Sequence, residues 1–211
     1  MQAKLKICGM KVPENITEVA ALEPDYLGFI FYKGSKRFVA DLEPEFVKNL
    51  PAAIMKTGVF VNESLLEIVE MVNRYDLCAV QLHGEESPEF IEELKRHLGS
   101  HVEMIKAFGM EEGFDFSQLS TYQHLVDYFL FDTKTPAHGG SGQLFDWALL
   151  SQYELQVPYF LSGGIDLNST EALKKINDTR LYALDINSRF ELEPGLKDID
   201  KLIDFKHRIK L

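Results

Sequence analysis

The feature that most limits how this chain can fold is a repeated pattern: an extended apolar run, a turn, then an amphipathic stretch, recurring about eight times in 211 residues. The extended runs fall at residues 5–8, 26–31, 56–61, 79–82, 103–107, 128–131, 159–161 and 181–186. Helices are predicted at 14–22, 43–50, 64–75, 87–98, 146–152, 169–176 and 198–209, and a short or irregular helical segment at 116–122 fills the fifth unit. Ser64 and Glu67 form a capping-box pattern ahead of an apolar face of Leu65, Ile68, Val69 and Val72, and Ser87 with Pro88 opens the next helix. Strands that alternate with helices run parallel. Eight such units predict one (β/α)8 TIM barrel over residues 1–211, a closed parallel sheet inside a ring of helices.

A hydrophobic share of 45% supplies enough apolar surface for one substantial core. The formal net charge of -11 repels polyanions over most of the surface, so nucleic acid is not an expected partner, although a locally basic pocket would still hold one phosphate. The chain opens directly into residues 5–8, and no apolar run approaches the roughly 18 residues of a membrane span. We therefore expect a cytoplasmic protein with no membrane partner. Cys8 and Cys78 offer neither a disulfide framework nor a repeated metal-ligand spacing, so structural zinc is not expected.

Alternation along the first strand puts Lys6 and Cys8 on one side and Leu5 and Ile7 on the other, which turns Cys8 toward the barrel mouth. The same count sets Asp132 on the side of Tyr128 and Leu130, at the carboxyl end of the sixth strand, where barrel enzymes carry their chemistry. Taken alone, Cys8 reads as a small buried apolar residue. Placed at a strand end before Gly9, with Lys6 close enough to favour a thiolate, it reads as a base. Lys6 reads equally as half of an ion pair with Asp185 on the last strand. Asp132 is either a loop cap or partner of Lys134, or, if screened from water, a carboxyl that keeps its proton and donates it.

Other loops supply binding candidates. His138-Gly139-Gly140-Ser141-Gly142 reads as a lid or wall, with Gly140 and Gly142 allowing backbone to approach a ligand. Gly163 and Gly164 after the seventh strand, with Asn187 and Ser188 after the eighth, are small residues where barrels cradle phosphate; ordinary tight turns are the alternative. Arg37 offers a planar fork for a carboxylate or phosphate, or is a solvated surface arginine. Gln81 and His83 either line the mouth or make structural hydrogen bonds.

Read in order, Lys6-Ile7-Cys8-Gly9, Asp25-Tyr26-Leu27-Gly28-Phe29-Ile30-Phe31, Gly58-Val59-Phe60-Val61-Asn62, Gln81-Leu82-His83-Gly84, Gly139-Gly140-Ser141-Gly142 and Glu193-Pro194-Gly195-Leu196-Lys197-Asp198 resemble the phosphoribosylanthranilate isomerase family of tryptophan biosynthesis. The resemblance runs from Lys6 to the last helix. It implies a small-molecule substrate, N-(5-phosphoribosyl)anthranilate, rearranged to 1-(2-carboxyphenylamino)-1-deoxyribulose 5-phosphate without metal or cofactor, by a monomer or homodimer. On that resemblance Asp132 is the general acid at the ribose ring oxygen and Cys8 the base at C2. Arg37 would then hold the anthranilate carboxylate, and the loops after strands seven and eight the phosphate. One departure stands out: the family commonly has Ser-Ser-Gly-Val-Glu after strand eight, where this chain has Asn187-Ser188-Arg189-Phe190-Glu191. Arg189 then either adds charge near the phosphate or faces solvent. Two rivals remain: the histidine-pathway isomerase, which typically carries an aspartate where Cys8 stands, and a catalytically silent barrel that binds a phosphorylated metabolite.

Overall fold

Each extended run becomes a strand: β1 (Lys4–Cys8), β2 (Tyr26–Ile30), β3 (Met55–Phe60), β4 (Ala79–Leu82), β5 (Glu103–Met110), β6 (Tyr128–Thr133), β7 (Tyr159–Leu161) and β8 (Leu181–Ile186). In the computed structural model, which describes residues 3–133 and 146–209, these strands close a barrel in sequence order. All neighbours are parallel, and β1 meets β8 with Lys6 opposite Asp185. Period-two alternation separates two apolar clusters. Leu5, Ile7, Leu27, Phe29, Leu82 and Phe129 point outward and pack with the helices, whereas Tyr26, Ala79, Ile105, Leu130, Phe160 and Ala183 fill the barrel itself.

The helices are α1 (Pro13–Ala20), α2 (Pro44–Lys48), α3 (Leu65–Tyr75), α4 (Pro88–His97), α5 (Thr170–Leu173) and α6 (Ile199–Ile209). Ser64 caps α3 by accepting from the Glu67 N–H at 3.2 Å, and Ser87 caps α4 by accepting from that of Phe90 at 3.3 Å. The reciprocal half of the Ser64 box is supplied differently, since Glu63 accepts the Ser64 N–H. The fifth unit holds the expected irregular segment, a 3-10 helix at Phe116–Thr121.

Three elements differ from the sequence prediction. The helix expected at 146–152 is a 3-10 helix, Trp147–Gln152: Asp146 folds onto the Ala148 N–H, and Leu150 is the segment's one buried side chain, too little for so short a stretch to sustain an α-helix. The helix expected at 169–176 shrinks to α5, because the following bonds, Lys175 to Ala172 and Ile176 to Leu173, tighten to three-residue spacing. An antiparallel hairpin, β9 (Glu191–Glu193) and β10 (Leu196–Lys197), was not anticipated. Among the described residues no helix is long and apolar enough to cross a membrane.

Candidate active site

The carboxyl ends of β1, β2 and β8 converge at Cys8. Its register partner on β2 is Gly28, and a Cβ there would lie 2.7 Å from Cys8 Sγ, so the thiol occupies the space a side chain would need. Gly9 then takes the chain out of the barrel with φ +79°, a conformation that suits glycine. A Cβ on Gly9 would lie 2.6 Å from Arg37 Cδ and 2.7 Å from Asn187 Oδ1. Cys8, Arg37 and Asn187 therefore gather around one turn.

Below the thiol, Lys6 is fully buried, with Nζ 3.0 Å from Asp185 Oδ2 and donating to Gln81 Oε1 at 2.8 Å. The ion pair expected between Lys6 and Asp185 is present. Gln81 Nε2 lies 2.9 Å from His83 Nδ1, and His83 Nε2 lies 3.5 Å from Asp132 Oδ2. A continuous polar chain thus crosses the interior from Asp185 through Lys6, Gln81 and His83 to Asp132. The second oxygen of Asp185, Oδ1, is buried without a hydrogen bond among the described residues.

This setting decides the protonation states. Burial pushes the Asp132 carboxyl up to about 6, and the nearby Asp185 carboxylate pushes the same way; the Thr133 N–H, Ser162 and Lys6 pull it back. The expected pull of Lys6 toward a Cys8 thiolate is present but does not prevail. Lys6 and Lys197 do favour it, but burial is the larger effect and holds the thiol above its ordinary value, with Asp185 adding to the rise.

Arg37 is neither a solvated surface side chain nor an open fork. Its Nε donates to Glu191 Oε1 and Oε2 at 2.9 and 3.0 Å, and its Nη2 to Oε2 at 2.6 Å. Glu191 Oε1 also accepts from Lys197 Nζ at 2.8 Å, and the same ammonium donates to Asn187 Oδ1 at 2.8 Å. Glu191 and Lys197 were missed as site residues. The signal for Lys197 lay in the Glu193–Asp198 block, but nothing local placed that block beside Arg37.

The loop after β7 tucks against Asp132: Gly163 and Gly164 have φ of +85° and +69°, and a Cβ on Gly163 would lie 2.4 Å from Thr133 Oγ1 and 3.1 Å from Asp132 Oδ1. After β8, Asn187 leads into a 3-10 turn, Ser188–Phe190. Within it Arg189 is exposed, while Phe190 is buried edge-on against Phe205 of α6 at 5.0 Å. The departure after strand eight thus anchors the turn to the outer core. His138, Gly140, Gly142 and Lys134 lie outside the described residues.

Known proteins resemble this chain over nearly its whole length. The family model for N-(5'phosphoribosyl)anthranilate (PRA) isomerase matches residues 5–208. An N-(5'-phosphoribosyl)anthranilate isomerase of Parabacteroides distasonis is 44% identical over 207 residues, spanning 97% of this chain and 92% of the relative. The crystal structure of phosphoribosyl anthranilate isomerase from Thermus thermophilus superposes with a TM-score of 0.83 at 29% identity, covering 98% of each chain. A phosphoribosyl anthranilate isomerase in complex with reduced 1-(o-carboxyphenylamino)-1-deoxyribulose 5-phosphate superposes with a TM-score of 0.81 at 29% identity, covering 99% of each chain. With a family match over nearly its whole length and a barrel that superposes on solved members, this chain belongs to the N-(5'-phosphoribosyl)anthranilate isomerase family.

Proposed function

We propose that this protein, acting as a single catalytic domain in the cytoplasm, isomerises N-(5'-phosphoribosyl)anthranilate to 1-(2-carboxyphenylamino)-1-deoxyribulose 5-phosphate, with Asp132 as general acid and Cys8 as general base. Asp132 gives its proton to the ribose ring oxygen as the C1–O bond breaks and the anthranilate nitrogen lone pair forms the C1=N bond. The Cys8 thiolate then removes the C2 proton. The C–H electrons form C1=C2, and the C=N electrons return to nitrogen, leaving an enolamine. Loss of the C2 hydroxyl proton and protonation at C1 give the ketone. Arg37 receives the anthranilate carboxylate. Gly163, Gly164, Asn187 and Ser188 surround the phosphate.

The observation that carries this reading is the buried Asp132, pushed up to about 6 and joined through His83, Gln81 and Lys6 to the strand that bears Cys8. A carboxyl in that range retains enough neutral form near pH 7 to act as an acid. In this reading Gln81 and His83 hold the interior chain that orients the two groups. Incubating the purified protein with phosphoribosylanthranilate and following the loss of anthranilate fluorescence tests it. Turnover without additions is expected; well-folded protein that binds the substrate and leaves it unchanged would favour the silent barrel.

A further inference from the structure

The Arg37 guanidinium poses an electrostatic problem for the role just assigned to it. Glu191 holds its Nε–Nη2 edge through three short contacts, and an arginine neutralised by its own carboxylate attracts a second carboxylate weakly. The hairpin β9–β10 resolves this by bringing a second cation to the same Glu191. Lys197 Nζ lies 2.8 Å from Glu191 Oε1, and its side chain is wholly buried. Two cations and one anion leave the cluster with one positive charge, while the Nη1 side of Arg37 makes no hydrogen bond to Glu191.

Lys197 is held there by more than its charge. Asn15 of α1 grips its backbone from both sides, accepting from its N–H at 2.6 Å and donating to its carbonyl at 3.0 Å. Gly195, at φ +92°, makes the turn that returns the chain, and its N–H donates to Glu191 at 3.1 Å. Hairpin, α1 and Glu191 are thus joined by hydrogen bonds beneath Arg37. Burial lowers the Lys197 ammonium and Glu191 opposes that pull; Glu191 itself, despite burial, is held below its ordinary value by Arg37 and Lys197. Glu191 is thus held in its charged form between Arg37 and Lys197.

We infer that Lys197 is a positioning residue that keeps the Arg37–Glu191 pair net positive, and so makes this corner of the mouth selective for phosphosugar amines whose aromatic ring carries a carboxylate. The inference rests on the proposed placement of the anthranilate carboxylate at Arg37. Two stable ligands separate its parts: 1-(2-carboxyphenylamino)-1-deoxyribitol 5-phosphate, and the same molecule without the carboxyl group. Binding of each is measured by calorimetry on the full chain, alongside substrate turnover.

Lys197→Met should weaken the carboxylated ligand about 10- to 100-fold, the range of one charge-assisted contact, and leave the carboxyl-free ligand within about threefold. Adding Glu191→Gln to that variant removes the opposing charge and should restore carboxylate binding to within about threefold of the parent. Lys197→Gln keeps a donor for Glu191 without the charge and provides the same comparison if the methionine variant fails to fold; it should lose carboxylate affinity likewise. Equal weakening of both ligands, full affinity in Lys197→Gln, or a double variant no better than Lys197→Met would each overturn the inference. If the unmodified protein neither turns over the substrate nor distinguishes the two ligands, the proposed function itself fails.

Discussion

The two ends of the barrel interior are built from the same alternating strand positions and solve opposite problems. At the amino end, Tyr26, Tyr128 and Tyr182 close the floor with Phe160: Tyr128 and Tyr182 stack at 4.3 Å, and Phe160 meets Tyr26 edge-on at 5.2 Å. The Tyr26 hydroxyl donates to Glu103 at 2.8 Å and lies 3.2 Å from that of Tyr182, and burial keeps Tyr26 and Tyr128 in their neutral forms. At the carboxyl end the interior is ionic. Lys6, Asp185 and Asp132 are all buried, one Asp185 oxygen is unpaired, and both Asp132 and Cys8 are shifted against ionisation. Aromatic area stabilises the floor, whereas the mouth holds charges in an environment that disfavours them.

The largest test of that contrast is catalytic. Cys8→Ala and Asp132→Asn should each lower turnover by about 10²–10⁴-fold while far-UV circular dichroism stays unchanged. Near-normal turnover in either variant would remove that group from the mechanism.

Next in size is the ion pair under the mouth. Lys6→Met leaves Asp185 as a buried, uncompensated charge and should cost about 3–5 kcal/mol in denaturant unfolding. A cost below about 1 kcal/mol would mean that water reaches the pair and that the mouth is not the low-dielectric site described above.

Asp132→Asn should also stabilise the protein even as it removes activity. The folded-state value of about 6 lies above the ordinary 3.8, so the native state favours the protonated form: that contribution is complete at acid pH and is lost as pH rises through 6. The asparagine variant should therefore be more stable by up to about 3 kcal/mol above pH 7, with the gain vanishing toward pH 4. Equal unfolding midpoints at pH 8 would show that the carboxyl is not strained by its burial.

The same shifts set the pH dependence of kcat/KM. In the proposed mechanism turnover needs a protonated Asp132 and a Cys8 thiolate together, and Asp132 has the lower value of the two. The rate should climb as pH rises to about 6, level off, and decline only above the ordinary thiol range. An acidic limb near 4 would contradict the buried state of Asp132. The smallest effect belongs to the floor: Tyr26→Phe loses the hydrogen bond to Glu103, should cost about 1 kcal/mol of stability, and should leave kcat unchanged.

Much of this was legible in the sequence because it depends on local rules. Strand alternation placed Cys8 and Lys6 on one side and Asp132 with Leu130 on the other strand's inward side. Ser64 and Ser87 marked helix starts that formed as read. The Lys6–Asp185 pair followed from the adjacency of first and last strands once closure was assumed. The helix expected at 146–152 failed because its propensity was not matched by buried apolar area.

What the sequence by itself determined was the order of the eight barrel strands, the inward register of each strand and the chemical types at the carboxyl ends, since each depends on neighbours within a few residues. The tertiary structure decided which charges meet. Asn15 grips Lys197, Lys197 reaches Glu191, and Glu191 holds Arg37, across separations of up to 182 residues. It also set the proton affinities of Asp132 and Cys8, because desolvation depends on everything packed around a group, and that packing exists only once the barrel has closed.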